Sequence, residues 1–208
     1  MEVGTKKELS DRIQWVKFSG ASWQGNGFYY SAYSKPAAGQ ELTAKNEFQK
    51  IFYHKLGDPQ EKDILIYEDK QHPLRYFGTD TTEDEKYLFL TISQGTHGNE
   101  LYYKDLTAKK MDFQPLIKGF EFDSSVIDAV GDKFLLITNV DAPNDRVVRM
   151  DPKSVGQENW QVVIPEKPEV LSGANAAGGQ LFCHYLKDAN TKVFQYDLTG
   201  KLAKEIEL

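Results

Sequence analysis

The sequence has little of several features that define common protein classes. A single cysteine, Cys183, occurs in 208 residues, which excludes an internal disulfide and any multi-cysteine zinc site. No apolar run approaches the ~18 residues that indicate a membrane-spanning helix. The 25 basic residues are outnumbered by 31 acidic ones, and no tract rich in Lys and Arg occurs, so the electrostatic signature of a nucleic-acid or membrane-surface binder is missing. We therefore expect no nucleic-acid partner and no membrane partner.

Two features of the sequence bear on location. Residues 1–12 are charged and polar, and no apolar stretch follows them, so they are not expected to form a signal peptide. The lack of disulfides is compatible with a reducing cytoplasm, although periplasmic proteins often lack them as well. The expectation is a cytoplasmic protein, with the periplasm as the alternative.

Aromatic residues are abundant and recur in a repeat. They make up 12% of the chain, which favours β-rich packing because flat rings fit a pleated, half-buried surface. Two series of equivalent positions repeat every 46 and 47 residues, namely Asp105, Asp151 and Asp197, and Lys86, Lys133 and Gln180. No window of eleven or more residues carries a helical stripe. A period of this length without helix matches the ~40–50 residues of a β-propeller blade.

The repeat predicts an all-β fold in a single domain over residues 1–208. Four blades of four antiparallel strands are expected at about 14–70, 74–119, 122–166 and 169–208, and the surplus length of the first blade lies in residues 34–46. Each blade begins with an inner strand of small and apolar residues, expected at Val16–Trp23, Tyr76–Thr82, Ser125–Val130 and Val170–Ala177. A continuously apolar second strand and an alternating third strand follow. Four blades fit either a complete small propeller or an arc of a larger ring.

Hairpin turns are expected between these strands. Gln24-Gly25-Asn26-Gly27 contains an Asn-Gly pair and predicts a tight hairpin turn after the first inner strand. The pairs Gly131-Asp132 and Gly178-Gly179 stand at the same point of later blades. In Asp197-Leu198-Thr199-Gly200 the glycine can take a positive φ without steric cost.

Residues with catalytic potential are sparse. The nearest match to a Gly-x-Ser-x-Gly nucleophile elbow is Gly20–Gln24, which lacks the last glycine and runs into a hairpin instead of a helix, so Ser22 is expected to be an ordinary strand serine. No catalytic residue is therefore expected in this chain. Cys183 stands in an apolar strand and is expected to be a small buried hydrophobe.

Metal ligands and cofactor motifs are not expected either. His54 and His184 fall in predicted strands and His72 and His97 in loops, without the clustering that zinc requires. The densest acidic group, formed by Asp80 and residues 83–85, is more typical of solvated loop charges than of a calcium site. The predictions are therefore no metal and no cofactor.

Several segments, in their order and spacing, give the chain a family resemblance. They include Val16-Lys17-Phe18-Ser19-Gly20-Ala21-Ser22-Trp23, Gly27-Phe28-Tyr29-Tyr30-Ser31, Tyr53-His54-Lys55-Leu56-Gly57, Asn99-Glu100-Leu101-Tyr102-Tyr103-Lys104-Asp105-Leu106, Ala142-Pro143-Asn144-Asp145-Arg146, and Trp160 with Ile164-Pro165-Glu166. Over nearly its whole length the chain resembles the propeller domain of prolyl oligopeptidase (prolyl endopeptidase), a serine peptidase family.

The resemblance implies a seven-bladed propeller, of which this chain is about four consecutive blades. It implies an α/β-hydrolase domain outside this segment, which carries the Ser-Asp-His triad and is the expected partner within the parent chain. The expected substrates are short proline-containing peptides, cut after proline, with the propeller restricting access. Terminal blades without neighbours expose apolar faces, so we expect these faces either to cover each other in a tighter closed ring or to associate with another copy of the chain. The alternatives are a stand-alone interaction scaffold and the propeller of a related oligopeptidase or dipeptidyl peptidase.

The resemblance also implies four substrate-facing residues. Phe18 and Phe77 match apolar residues that line outer subsites, and Ser93 and Thr96 belong to a loop that approaches the active site. Many relatives have arginine at the Ser93 position and cysteine at the Thr96 position, so the polar contact and the thiol sensitivity of those relatives are not carried over. The alternative for Phe18 and Phe77 is plain packing between inner strands.

Overall fold

The fold is known from a computed structural model that describes residues 2–109 and 112–207. It consists of four sheets, each with four antiparallel strands in sequence order. The first sheet contains β1 (Ser22–Gln24), β2 (Gly27–Ala32), β3 (Lys50–Lys55) and β4 (Ile64–Glu68), and the second contains β5 (Tyr76–Thr81), β6 (Tyr87–Ser93), β7 (Asn99–Asp105) and β8 (Gln114–Ile117). The third contains β9 (Ser124–Val130), β10 (Lys133–Thr138), β11 (Arg146–Met150) and β12 (Gln161–Ile164), and the fourth contains β13 (Val170–Ala177), β14 (Gln180–Lys187), β15 (Asn190–Asp197) and β16 (Leu202–Ile206).

The prediction of an all-β fold with four blades of four strands is confirmed. Helical structure in the described residues is limited to two short 3-10 turns, Gln60–Lys62 and Gln157–Asn159. No described helix has the length and hydrophobicity needed to cross a bilayer. The second strand of each blade is the most buried one, as its continuous apolar sequence predicted, and β6 and β10 illustrate this.

The inner strand of the first blade was predicted too long. Only Ser22–Gln24 forms β1, because a side chain takes the place of a backbone partner just before it, although farther out the Tyr33 amide still donates to the Trp15 carbonyl at 3.1 Å. The Ser31 amide, which could pair with an extended β1, donates to Ser19 Oγ at 2.7 Å. The adjoining hairpin turn lies within the predicted residues 24–27, with Gly25 and Asn26 at its centre and Gly27 at the start of β2. A Cβ at position 27 would lie 2.2 Å from the His54 carbonyl oxygen, so the strand requires glycine there.

Contacts divide the chain into two compact units, with β7 divided between them and β8 in the second. The first unit contains the first sheet together with β5 and β6. Its core is rich in aromatic and branched side chains, including Tyr29, Ile51, Phe77 and Phe89. Strand β1 runs beside β5 in the same direction, because Ser22 Oγ bonds to Thr79 and the Trp23 carbonyl accepts from Thr81 Oγ1.

The second unit contains the third and fourth sheets. Its core cluster includes Leu135, Leu181 and Cys183, all fully buried. The prediction that Cys183 is a buried hydrophobe is confirmed, and burial raises the pKa of its thiol to about 12.

The second unit also holds a group that we call the lysine cage, formed by Lys167, Tyr185, Phe194 and Tyr196. The Lys167 ammonium lies 4.4, 4.7 and 5.4 Å from the ring centroids of Tyr185, Phe194 and Tyr196. It also donates a hydrogen bond of 2.6 Å to the Tyr196 hydroxyl. A cation over aromatic faces is held by the ring quadrupoles. The cage therefore attaches the loop before β13 to strands β14 and β15.

Candidate functional site

The four residues predicted to face substrate lie at one end of the first unit. In antiparallel sheets the starts of odd strands and the ends of even strands share one end, and β1 and β5 run in the same direction. Phe18 precedes β1, Phe77 is the second residue of β5, and Ser93 ends β6 with Thr96 directly after it. We call this end the loop end. The structure brings the four positions to the same end, and their contact with substrate stays a prediction.

Phe18 is presented to solvent from a strained backbone. Its side chain is 74% exposed, and its φ is +55°. A bulky residue in this left-handed region carries a cost of about 1–2 kcal/mol, which persists only where the surroundings fix the backbone. An exposed aromatic ring on a fixed backbone is suited to contact an apolar side chain of a ligand.

Phe77 has the opposite environment. Its side chain is only 1% exposed and packs edge-on against Tyr67, with the ring centroids 5.0 Å apart. In this conformation Phe77 is a packing residue, and its aromatic partner Tyr67 lies in the outer strand β4 rather than in an inner strand. Of the two phenylalanines, Phe18 alone offers its ring to a ligand here.

The loop of Ser93 and Thr96 is anchored to the segment that enters β5. Ser93 pairs with Tyr76 at the end of β6 and is half-buried, whereas Thr96 is exposed. The Tyr76 hydroxyl donates to the Gly95 carbonyl at 2.6 Å. The Arg75 guanidinium donates to the Gln94 side chain at 3.1 Å. These bonds hold the loop in place at the loop end.

A half-buried carboxylate supports the same segment. Asp69 accepts hydrogen bonds from the Gln71 and His72 amides at 2.8 and 3.2 Å and pairs with Arg75 at 3.2 Å. Burial opposes its ionisation, but the bonds from Gln71 and His72 hold the pKa of Asp69 below its ordinary value. The ionised Asp69 therefore keeps Arg75, and through it the neighbouring loop, in position.

The loop end also exposes large apolar side chains. Besides Phe18, these are Phe48 before β3, Leu74 before β5, and Tyr76 at the start of β5. The Phe48 amide donates to the Pro73 carbonyl at 2.8 Å, which ties the approach to β3 to the approach to β5. An apolar surface with a few fixed polar groups is typical of a binding surface.

The rejected nucleophile candidate is a strand residue, as predicted. Ser22 begins β1, is buried, and donates its hydroxyl proton to the Thr79 carbonyl. The hairpin turn at Gly25 follows it, where a nucleophile elbow would require a helix. Its hydroxyl therefore serves the contact between β1 and β5.

Sequence reasoning missed a buried network at the opposite end of the first unit. His54 is a strand residue as predicted, but it is fully buried and bonds to two carboxylates, Asp63 at 2.7 Å through Nδ1 and Asp11 at 3.0 Å through Nε2. Asp11 also accepts from the Gly57 amide at 2.6 Å, and Asp63 accepts from the Tyr30 hydroxyl at 2.7 Å. The short spacing of His54 and Asp63 was a detectable signal, whereas Asp11 is 43 residues from His54. The network fastens the segment around Asp11 to the first sheet.

The network has a defined electrostatic character. Burial disfavours the imidazolium, but the hydrogen bonds to Asp11 and Asp63 outweigh it and raise the pKa of His54. The Gly57 amide and His54 lower the pKa of Asp11. Within the described residues, no group of three or more His, Cys, Asp or Glu side chains is arranged to hold a metal ion. The arrangement is therefore one of charge-assisted hydrogen bonds that join two chain segments.

The acidic residues after β5 take part in a turn and in a contact with the first hairpin. Asp84 accepts hydrogen bonds from the Thr82 hydroxyl at 2.6 Å and the Lys86 amide at 3.0 Å. Glu85 reaches across to the Gly25 amide at 2.6 Å. Their contacts are those of a turn and a hairpin junction.

Four repeated sheets of four antiparallel strands define a domain of the β-propeller class. A sequence profile described as "Prolyl oligopeptidase, N-terminal beta-propeller domain" matches residues 1–208, and the chain belongs to this family. It is 43% identical to the prolyl endopeptidase of Elizabethkingia meningoseptica over 209 residues, covering 100% of this chain and 29% of that protein. A dual-function macrocyclase-peptidase of Galerina marginata is 29% identical over 206 residues, covering 95% of this chain and 28% of that protein.

Solved structures show the same likeness. One, from a study of two prolyl endopeptidases and their inter-domain dynamics, is 30% identical with a TM-score of 0.83, covering 99% of this chain and 29% of its own. Prolyl oligopeptidase B of Galerina marginata, solved with a 35-residue substrate, is 28% identical with a TM-score of 0.86, covering 95% of this chain and 28% of its own. The chain thus spans less than a third of these relatives' length.

Proposed function

We propose that this chain is the propeller part of a prolyl endopeptidase that cuts short peptides after proline. The observation that carries the proposal is the family match over residues 1–208 in a chain that spans 29% of a prolyl endopeptidase 43% identical to it. The partner in this proposal is an α/β-hydrolase domain of the same parent protein. That domain would supply the nucleophile, and the propeller would restrict which peptides reach it.

The loop end is the surface that we assign to the substrate side. It carries the exposed Phe18 and an anchored loop from Ser93 to Thr96, and these features support a role in the outer subsites. In this role the propeller contributes binding and exclusion, and the bond-breaking chemistry belongs to the hydrolase. Binding energy from parts of a peptide remote from the cut bond can be used to orient that bond.

The test compares this chain with a protein extended by its flanking coding sequence. We expect the 208-residue chain to leave a proline-containing chromogenic peptide intact. The extended protein should cleave it, and a serine-directed inhibitor should abolish that cleavage. Inhibitor-sensitive hydrolysis by the short chain, or stop codons on both sides of the segment, would contradict the proposal. The second result would favour the interaction scaffold.

We also propose that the terminal sheets of the isolated chain associate with further copies. A groove beside the first sheet is lined by Leu9, Ile13, Trp23, Phe28 and Leu56, together with the charged residues Glu2, Glu8, Asp11 and Arg12. Trp23 remains half-exposed in it, beside Phe28. The last sheet separately exposes Leu186 and Leu202. Apolar surfaces of this kind seldom remain uncovered. Light scattering should give a mass above 23.7 kDa, and a monodisperse monomer that binds a hydrophobic dye would contradict this expectation.

A further inference from the structure

Two polar side chains are buried at the loop end, next to the residues predicted to face substrate. Gln49, directly before β3, has 0% of its surface exposed, and Ser31 in β2 has 2%. Burying a polar group is unfavourable unless it is hydrogen-bonded. The partners of Gln49 and Ser31 therefore indicate what these side chains do.

Gln49 joins two segments that are distant in sequence. Its Nε2 donates to the Lys17 carbonyl at 2.9 Å, and its Oε1 accepts from the Phe77 amide at 2.6 Å. The reverse orientation of the side-chain amide would place donor against donor and acceptor against acceptor, so the two backbone groups determine the orientation. One side chain thus connects the residue before Phe18 to Phe77.

Ser31 makes a second connection between the same segments. Its amide donates to Ser19 Oγ at 2.7 Å, and its hydroxyl donates to the Phe77 carbonyl at 2.6 Å. Phe18 is therefore held on both sides, through Lys17 and through Ser19. Both connections end on the backbone of Phe77, which is fixed in the core.

These contacts account for the conformation of Phe18. Its ring is largely exposed, so packing of the ring contributes little to its position. Its positive φ requires surroundings that fix the backbone, and the bonds to Lys17 and Ser19 do so. We propose that Gln49 is a positioning residue that holds Phe18 in its substrate-facing geometry and acts on substrate through Phe18. This inference rests on the proposed function.

Three variants separate the contacts. Gln49→Glu keeps an acceptor for the Phe77 amide but loses the donor to the Lys17 carbonyl. If the buried carboxylate prevents folding, Gln49→Met, which is uncharged and of similar length, replaces that variant and removes both Gln49 bonds. Ser19→Ala tests the second connection, because it removes the acceptor for the Ser31 amide at a half-buried position, together with the bond from Ser19 Oγ to the Gly20 carbonyl, 2.7 Å long. The matched control is Asn46→Ala, which removes only the exposed bond from the Lys17 ammonium to Asn46, 2.8 Å long.

The first readout is chymotrypsin cleavage after Phe18 in the 208-residue chain. Gln49→Glu and Ser19→Ala should each speed this cleavage about 2- to 10-fold, the range expected for one hydrogen bond, and Asn46→Ala should not. Urea unfolding distinguishes local release from global loss of stability. The inference would be overturned if cleavage after Phe18 were unchanged in both variants, or if global unfolding fully explained its increase. Neither outcome depends on peptidase activity.

The second readout is peptide cleavage by the extended protein. For peptides long enough to reach outer subsites, the two variants should lower kcat/KM about 2- to 10-fold, mainly through KM, with little change for minimal substrates. Their effect should vanish in a Phe18→Ala background, because Gln49 acts through Phe18. Equal effects in both backgrounds would overturn the inference. If Phe18→Ala alone leaves long-peptide cleavage unchanged, the substrate role of Phe18 fails, and the chymotrypsin result still decides whether Gln49 positions it.

Discussion

The single cysteine allows the packing of the second unit to be tested quantitatively. Cys183 is fully buried in one cluster with Leu135, and burial raises the pKa of its thiol to about 12. A thiol reagent therefore needs an opening of the cluster before it can react. Leu135 lies in β10 and Cys183 in β14, in two different sheets. We predict that Leu135→Ala accelerates the labelling of Cys183.

The size of the effect follows from burial. Replacing a fully buried leucine by alanine costs about 2–5 kcal/mol, because transfer energy is lost and a cavity remains. Each 1.4 kcal/mol changes an opening equilibrium tenfold. The labelling rate with a chromogenic disulfide reagent should therefore rise about 30- to 4,000-fold at fixed pH, provided that opening and closing are faster than reaction. Urea unfolding should give a matching loss of stability.

Leu202→Ala is the matched control because it makes the same deletion at a side chain that is 51% exposed in β16. A surface change of this kind is worth within about 0.5 kcal/mol, so labelling should change by no more than about 2-fold. Equal acceleration by the two substitutions, or an unchanged rate in Leu135→Ala, would refute the assignment of Leu135 and Cys183 to one packed core.

Three further predictions concern other contacts. The charged His54 contributes its full stability below about pH 6.5, and this contribution is lost as pH rises through the raised pKa of His54. The ionised Asp11 contributes stability above about pH 3.9, and this contribution is lost as pH falls through the lowered pKa of Asp11. Hydrogen exchange, corrected for its intrinsic pH dependence, should show the Asp11 segment best protected between these limits, and a flat profile would contradict this. Gly200→Ala should destabilise the chain by more than the about 1–2 kcal/mol expected for left-handed strain alone, because its Cβ would lie 1.9 Å from a strand carbonyl oxygen. Gly178 has a positive φ but open space around it, so in urea unfolding Gly178→Ala should lose only the stability that corresponds to backbone strain. Equal losses of stability in the two variants would contradict the prediction. Lys167→Met should lower the stability of the chain by about 1–2 kcal/mol, because it removes the cation from the lysine cage, and Lys167→Arg should lower it less. Thermal unfolding measures both variants, and the opposite ranking would contradict this prediction.

Much of the fold was predictable because its determinants are local. Alternation of side chains along a strand has a period of two, and glycines at turns supply positive φ, so strands such as Lys133–Thr138 and Val170–Ala177 were predicted with their observed ends. The same reasoning failed before β1. There the apolar sequence suggested a strand, but the Ser31 amide donates to the Ser19 hydroxyl instead of to a backbone carbonyl of an extended β1.

The repeat, the sheets and the family could be predicted from the amino-acid sequence, because each depends on spacing and order along the chain. Four candidate residues could be predicted in the same way, but their environments could not. The exposure of Phe18, the burial of Phe77 and the connection of their segments through Gln49 follow only from how the strands pack. The contact between His54 and Asp11 has the same origin. Such contacts join residues far apart in sequence, and no local periodicity specifies which distant polar groups meet when the sheets pack.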